Sequence, residues 1–107
     1  MAKYLITGAS GFIGSNFVNY VKRVEPNSEV IGIGREHDLT DLDVCMSVLR
    51  DSGSLDYIFH FADVSGNAEW SKRHSADQFL ANARISINML EAIKTVQSAA
   101  HLIGFSS

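Results

Sequence analysis

The run Thr7-Gly8-Ala9-Ser10-Gly11-Phe12-Ile13-Gly14 constrains this chain more than any other stretch. It follows a short apolar segment, Tyr4-Leu5-Ile6, and opens an amphipathic one that lasts to about Val24. The pattern predicts a strand over Lys3–Thr7, a glycine turn, and a helix carrying Ile13, Phe17, Val21 and Val24 on one face, ended by Pro26. Each glycine has its own reason. Gly8 leaves the strand at dihedrals that a Cβ disfavours; Gly11 lets backbone approach an anion closely; Gly14 lets the helix lie tight against the sheet. The amides from Ser10 through Ile13, backed by the positive end of the helix dipole, then face whatever is bound. Residues 4 to 21 carry no charged side chain, so no carboxylate competes for those donors. Strand, glycine turn and helix in this order is the setting of a dinucleotide-phosphate loop. The plain alternative is a turn that binds nothing. A Walker loop is excluded, because no Gly-Lys-Ser/Thr follows.

Beyond Pro26 the chain alternates strand and helix. Glu29–Ile33 reads as a buried parallel strand. Only Gly34-Arg35-Glu36-His37 separate it from Asp38-Leu39, too few residues for a crossover helix. Any third strand near Asp38 is therefore very short or reached irregularly. Thr40 reads as the cap of a helix that carries Leu42, Met46 and Leu49 on one face and closes at Ser52-Gly53. Leu55–Ala62 is the next predicted strand, followed by a polar loop over Asp63–His74. Ser75-Ala76-Asp77-Gln78 resembles a capping box for a helix to about Gln97, with Phe79, Ala83, Ile87, Leu90 and Ile93 as its buried stripe. His101–Ser106 is the last strand. This alternation implies one α/β domain with right-handed crossovers and ligands beyond the C-terminal strand ends. Those ends are Thr7-Gly8, Gly34-Arg35, Phe61-Ala62-Asp63 and Ser106-Ser107.

The bulk numbers narrow the function classes. A net charge of −3 offers no basic excess for nucleic acid or an anionic membrane. The single cysteine, Cys45, forms no internal disulfide and suits a reducing compartment. The glycine loop begins where the apolar core of a signal peptide would continue, and no apolar run approaches the roughly 20 residues that span a bilayer. The expectation is a cytoplasmic soluble domain. His37, His60, His74 and His101 have no metal-ligand spacing, so no metal is expected. His60, in an apolar strand, reads as a hydrogen-bonded core residue. Trp70 beside Lys72, Arg73 and His74 reads as an anchor next to a solvated basic turn, with contact to a nucleotide or a partner as the sharper alternative.

Four matches in register make the chain similar to the extended short-chain dehydrogenase/reductase superfamily of NAD(P)-dependent nucleotide-sugar epimerases, dehydratases and reductases. They are Thr-Gly-x-x-Gly-x-x-Gly at 7–14, Asp38-Leu39 before a helix, His60-Phe61-Ala62 ending a strand, and Phe105-Ser106-Ser107. Asn82 resembles the Asn of that family's Asn-x-x-Gly-Thr stretch, with Ile85-Ser86 in place of Gly-Thr. The short passage from Arg35 to Asp41 is most similar to the GDP-fucose synthase branch. The resemblance implies a Rossmann-type parallel sheet of about 4–5 strands with helices on both faces, cut after the fifth strand at most. It also implies that residues 1–107 are the N-terminal half of such a protein, lacking the substrate domain. Pyrophosphate would rest on the loop of Gly8, Ser10, Gly11, Phe12, Ile13 and Gly14. Asp38 would accept from the adenine amino group with the Leu39 backbone beside it. Phe61 and Ala62 would line the nicotinamide-side ribose, and Asn82 would support the site from its helix.

Family chemistry needs a Tyr and a Lys four apart on one helix face. The three tyrosines here are followed at that spacing by Gly8, Val24 and Phe61, so the pair is missing. The family's catalytic Ser or Thr falls one position past Ser107, or on Ser107 itself if the motif shifts by one. Turnover by the chain alone is not expected. Asp63, where the family has Ala or Gly, puts a carboxylate near the nicotinamide. Arg35 suits the extra phosphate of NADP, while the adjacent Glu36 could serve a ribose hydroxyl; the balance tips slightly to NADP over NAD. Asn82 and Ser86 share a helix face and could bond loop backbone or cap buried carbonyls. A second reading is a non-catalytic dinucleotide-sensing or protein-interaction module, pairing through its exposed last strand.

Overall fold

The structure, a computed structural model, describes residues 1–62, 68–97 and 99–104. In chain order the elements are β1 (Lys3–Thr7), α1 (Phe12–Val24), β2 (Glu29–Ile33), α2 (Leu42–Asp51), β3 (Tyr57–His60), α3 (Ala68–Arg73), α4 (Ser75–Val96) and β4 (His101–Gly104). The strands form one parallel sheet in the order β2-β1-β3-β4, with Leu5 level with Ile31 on one side and Ile58 on the other. The winding runs outward from β1 to β2, then returns past β1 to β3. The crossovers therefore diverge at the C-terminal ends of β1 and β3, the place where such sheets hold ligands.

Alternation along β1 sorts two cores. Leu5 faces Ile58, Val48, Leu49, Ile85, Met89 and Ile93, so α2 and α4 cover that face. Tyr4 and Ile6 face Val21, Phe17 and Phe59, so α1 covers the other. The second core is aromatic: Phe17 lies 4.5 Å from Phe59 and 5.6 Å from Phe61, and Tyr4 stacks on Tyr57 at 5.3 Å, ring centre to ring centre.

Several boundaries differ from the sequence reading, each for a local reason. No strand forms near Asp38 among the described residues, because two successive turns close there, His37 N–H to Gly34 O and Asp41 N–H to Asp38 O. Asp41, not Thr40, caps α2, accepting from the Asp43 amide at 2.9 Å. The Thr40 hydroxyl is already committed to Asp38. The strand expected over Leu55–Ala62 keeps only Tyr57–His60. At its start the Leu55 amide goes to Gln97 Oε1, and at its end the Phe61 and Ala62 amides turn to Thr7 Oγ1. The polar loop contains α3, and His74, not Ser75, holds the cap position of α4.

The predicted stripe of α4 is out of phase except at Ile93, which is buried as expected. Ile85, Met89, Ala92 and Ile93 are buried, whereas Phe79, Ile87 and Leu90 are exposed. Both sets have helical spacing, and the buried set is the one that packs with Val48 and Leu49 of α2 and Leu5 and Ile58 of the sheet.

Candidate functional site

The glycine loop is locked to the end of β3 by backbone contact. Gly8 has φ of 69°, and a Cβ there would lie 2.7 Å from the Phe61 carbonyl carbon and 2.8 Å from the Ala62 nitrogen. Thr7, fully buried, holds the same turn: its hydroxyl oxygen accepts from the Phe61 and Ala62 amides, both at 3.1 Å. With its lone pairs engaged, that hydroxyl donates its proton to His60 Nδ1, 2.7 Å away. Donor counting thus makes Nδ1 an acceptor and places the imidazole proton on Nε2. His60 serves the core in this way, and the two strand ends at the switch point become one unit.

Gly14 and Gly11 have different jobs. A Cβ on Gly14 would fall 1.9 Å from the Gly8 carbonyl oxygen, so α1 packs against the loop's own backbone as well as the sheet. A Cβ on Gly11 meets only Gly8 O at 3.4 Å, an ordinary contact, and the fold alone does not require glycine there. Gly11 is the N-cap of α1 with no side-chain cap and no acidic residue in the first turn. The amides of Phe12, Ile13 and Gly14 have no acceptor within the helix by its geometry. An uncapped helix end beside an unfilled Cβ position fits a bound diphosphate.

The opposite wall is the double turn after β2. Asp38 Oδ1 accepts from the Thr40 amide at 3.1 Å and from its hydroxyl at 2.5 Å. The hydroxyl first, and then the amide, hold the Asp38 carboxyl below its ordinary range. Glu36 folds back so that Oε1 accepts from the Gly34 amide at 3.1 Å, with His37 Nδ1 at 3.5 Å. Its own amide and that of Gly34, then the His37 charge, lower its carboxyl too. Arg35 is exposed and enters no ion pair found among the described residues. Arg35 and Glu36 form no ion pair with each other.

Between these walls lies a cleft of about 320 Å³. Gly8, Ser10, Gly11, Arg35, Asp38, Leu39, Phe61 and Ala62 line it, all of them among the residues expected at a cofactor from the glycine loop, the end of β2 and the family resemblance. Phe12, Ile13, Gly14 and Asn82 are not on its wall; Phe12 is 84% exposed. Ser107, Ser106 and Asp63 lie outside the described residues. The structure adds Gly34, His37, Thr40 and Ile85. Thr40 was legible as the partner two residues after an Asp; Ile85 needed the correct phase of α4. A larger cleft of about 460 Å³ lies between β2 and α2, lined by Ile31, Ile33, Val44 and Val48. It lacks the glycine loop, and the carboxylates of Asp43 and Asp51 on its wall oppose an anion.

A doubly wound parallel sheet with a glycine loop at its switch point defines a nucleotide-binding domain of the Rossmann class. More particularly, the chain belongs to the NAD-dependent epimerase/dehydratase family, whose model matches residues 4–107. Solved structures agree in fold. A GDP-L-fucose synthetase from Naegleria fowleri bound to NADP superposes with a TM-score of 0.77 at 22% identity, over 96% of this chain and 30% of that one. A dTDP-4-dehydrorhamnose reductase from Bacillus anthracis in complex with NADP gives 0.78 at 20% identity, over 95% and 35%. A GDP-mannoheptose C4 reductase from Campylobacter jejuni with NADP bound gives 0.83 at 20% identity, over 98% and 32%. The chain thus spans about a third of the length of these proteins. Among curated proteins, none matches by sequence. Family membership does not favour the non-catalytic module. No helix among the described residues is long and apolar enough to cross a membrane.

Proposed function

We propose that this chain is the NAD(P)-holding part of a nucleotide-sugar epimerase, dehydratase or reductase. The carrying observation is Gly11, a glycine that the fold does not need, at an uncapped helix end on the wall of the cleft. The amides of Ser10, Phe12 and Ile13 bind the pyrophosphate, while that of Gly11 is held within the loop by the Gly8 carbonyl at 3.0 Å. Asp38 accepts from the adenine amino group with Leu39 beside it, Phe61 and Ala62 flank the nicotinamide-side ribose, and Asn82 supports the site from α4. When bound, the nicotinamide supplies or receives a hydride; these residues orient it and exclude water from it.

NADP is placed slightly ahead of NAD. Arg35 is exposed and enters no ion pair among the described residues, which leaves it available to a 2′-phosphate, and three fold-mates carry NADP. Glu36 is engaged by the Gly34 amide, so a ribose hydroxyl would compete with an existing bond. With no Tyr-x-x-x-Lys pair, and with Ser107 its only candidate catalytic residue, the chain on its own binds cofactor without turnover. A nucleotide sugar binds only where the rest of a family member is present. The outer edge of β4 is the place for further strands or a partner strand. The setting is cytoplasmic, with no nucleic acid or membrane as partner.

Titration with NADP and NAD tests this. Gly11→Val should stay folded, because a Cβ has room, yet lose dinucleotide binding. Arg35→Ala should weaken NADP by roughly tenfold and leave NAD nearly unchanged, with the loss shrinking at high salt. Wild-type affinity in Gly11→Val would reduce the loop to a mere turn. Equal losses of both cofactors in Arg35→Ala would remove the 2′-phosphate assignment alone.

A further inference from the structure

Asn88 sits on α4 and is not among the residues that line the cleft. Its side-chain Nδ2 donates to the Leu39 carbonyl oxygen at 3.2 Å. The Cys45 thiol donates to the same oxygen at 3.3 Å. Two elements, α4 and α2, thus pin one carbonyl in a turn that has no strand of its own. Leu39 is only 4% exposed, so that carbonyl depends on protein donors.

The pinned carbonyl matters because of what shares its peptide plane. Leu39 C=O and Thr40 N–H belong to one rigid unit, and fixing the oxygen fixes the direction of the hydrogen. The Thr40 amide is one of two donors on Asp38 Oδ1; the other is the Thr40 hydroxyl. Both meet the same oxygen, which sets the carboxylate plane and leaves Oδ2 without a bond from this turn. Asp38 lines the cleft. The chain of contacts runs from α4 through one peptide to the carboxylate.

We infer that Asn88 is a positioning residue for the adenine end of the cofactor, aiming Asp38 through the Leu39–Thr40 peptide. This rests on the cofactor reading above and extends it to a residue outside the cleft. Asn88 adds no affinity through the phosphates. It sets how well the site tells an amino group on the purine from an oxygen.

That difference is measurable in the full-length protein. Titrate NADP and its hypoxanthine analogue, which carries a carbonyl where adenine carries its amino group. The wild type should prefer NADP by roughly tenfold or more, the scale of one hydrogen bond to a charged acceptor. Asn88→Ala should bring the ratio towards one while leaving the analogue's affinity within about twofold, since phosphate contacts are untouched. Alanine suits a helix and Asn88 is half-buried, so the fold should persist. Asn88→Asp is the second variant: it keeps the volume, replaces the donor by an acceptor facing a carbonyl, and should collapse the ratio likewise. Folded variants that keep the wild-type ratio, or that lose both ligands in equal proportion, would overturn the inference and make Asn88 merely structural. A wild type that binds both ligands equally would remove the Asp38 assignment and this inference with it, leaving the phosphate loop standing. A wild type that binds neither would end the cofactor reading itself.

Discussion

Cys45 shows how a side chain of ordinary chemistry is made inert by position. It is fully buried, and its Sγ donates to the Leu39 carbonyl. Burial first, then the nearby charges of Asp41 and Asp38, push the thiol up to about 11. Only the thiolate attacks, so near pH 8 the folded protein should react with iodoacetamide roughly a hundredfold or more slowly than an unfolded chain. Labelling in buffer and in concentrated urea, followed by mass spectrometry, checks this. Equal rates would place Cys45 at the surface. The glycines were more legible than the cysteine, because backbone conformation leaves a trace in composition. Gly8 and Gly14 are required by contacts with the chain itself; Gly11 is not, and a sequence pattern cannot separate those cases. Thr7 was visible only as part of a motif. Its use as a shared acceptor for two amides depends on β3 lying beside β1, a fact of three dimensions.

At the level of elements, the periodicities named most of the strands and helices and failed where two solutions were equally periodic. The α4 segment carries apolar residues on two faces, and only the buried partner surface on α2 and the sheet decides between them. The consequence is sharp. Met89→Ala removes a side chain that is 1% exposed and should cost about 2–4 kcal/mol, whereas Ile87→Ala, at 59% exposed, should stay within about 0.5 kcal/mol. Urea unfolding of the two variants distinguishes the phases, and a reversed order would restore the stripe read from sequence. The ends of elements were hidden for another reason: side chains from distant segments take their amides. Gln97 is the clearest case. Its Oε1 accepts from Leu55 at 3.1 Å, while its Nε2 donates to Leu49 O at 2.9 Å and to Gly53 O, joining the end of α4 to both ends of the α2–β3 connection. Nothing local in Leu55 announces that its amide leaves the ladder.

Across the whole molecule, the sheet order brings the glycine loop, the turn after β2 and the end of β3 to one edge, and that was readable because parallel crossovers have a fixed hand. Less readable was how the first strand is tied to the far end of the helix it feeds. The Tyr4 hydroxyl donates to the Glu25 carboxylate, linking β1 to the residue just past α1. That bond, with burial second, pushes the Tyr4 hydroxyl from 10.0 up to about 12. The folded protein therefore holds this proton more tightly than the unfolded chain does. The contribution is complete below pH 10 and disappears as pH rises towards 12. Tyr4→Phe keeps the ring stacked on Tyr57 but has no proton to lose. The variant should be less stable by about 1.5–3 kcal/mol near neutrality, the net contribution of a hydrogen bond to a charged acceptor. The gap should close as the pH is raised through the alkaline window. Tyr20, Tyr57 and Cys45 are common to both proteins and cancel in the difference. Urea midpoints for the pair, taken at intervals from pH 8 upward, give the answer directly: converging curves place the Tyr4–Glu25 bond in the stability of the whole domain, and parallel curves remove it.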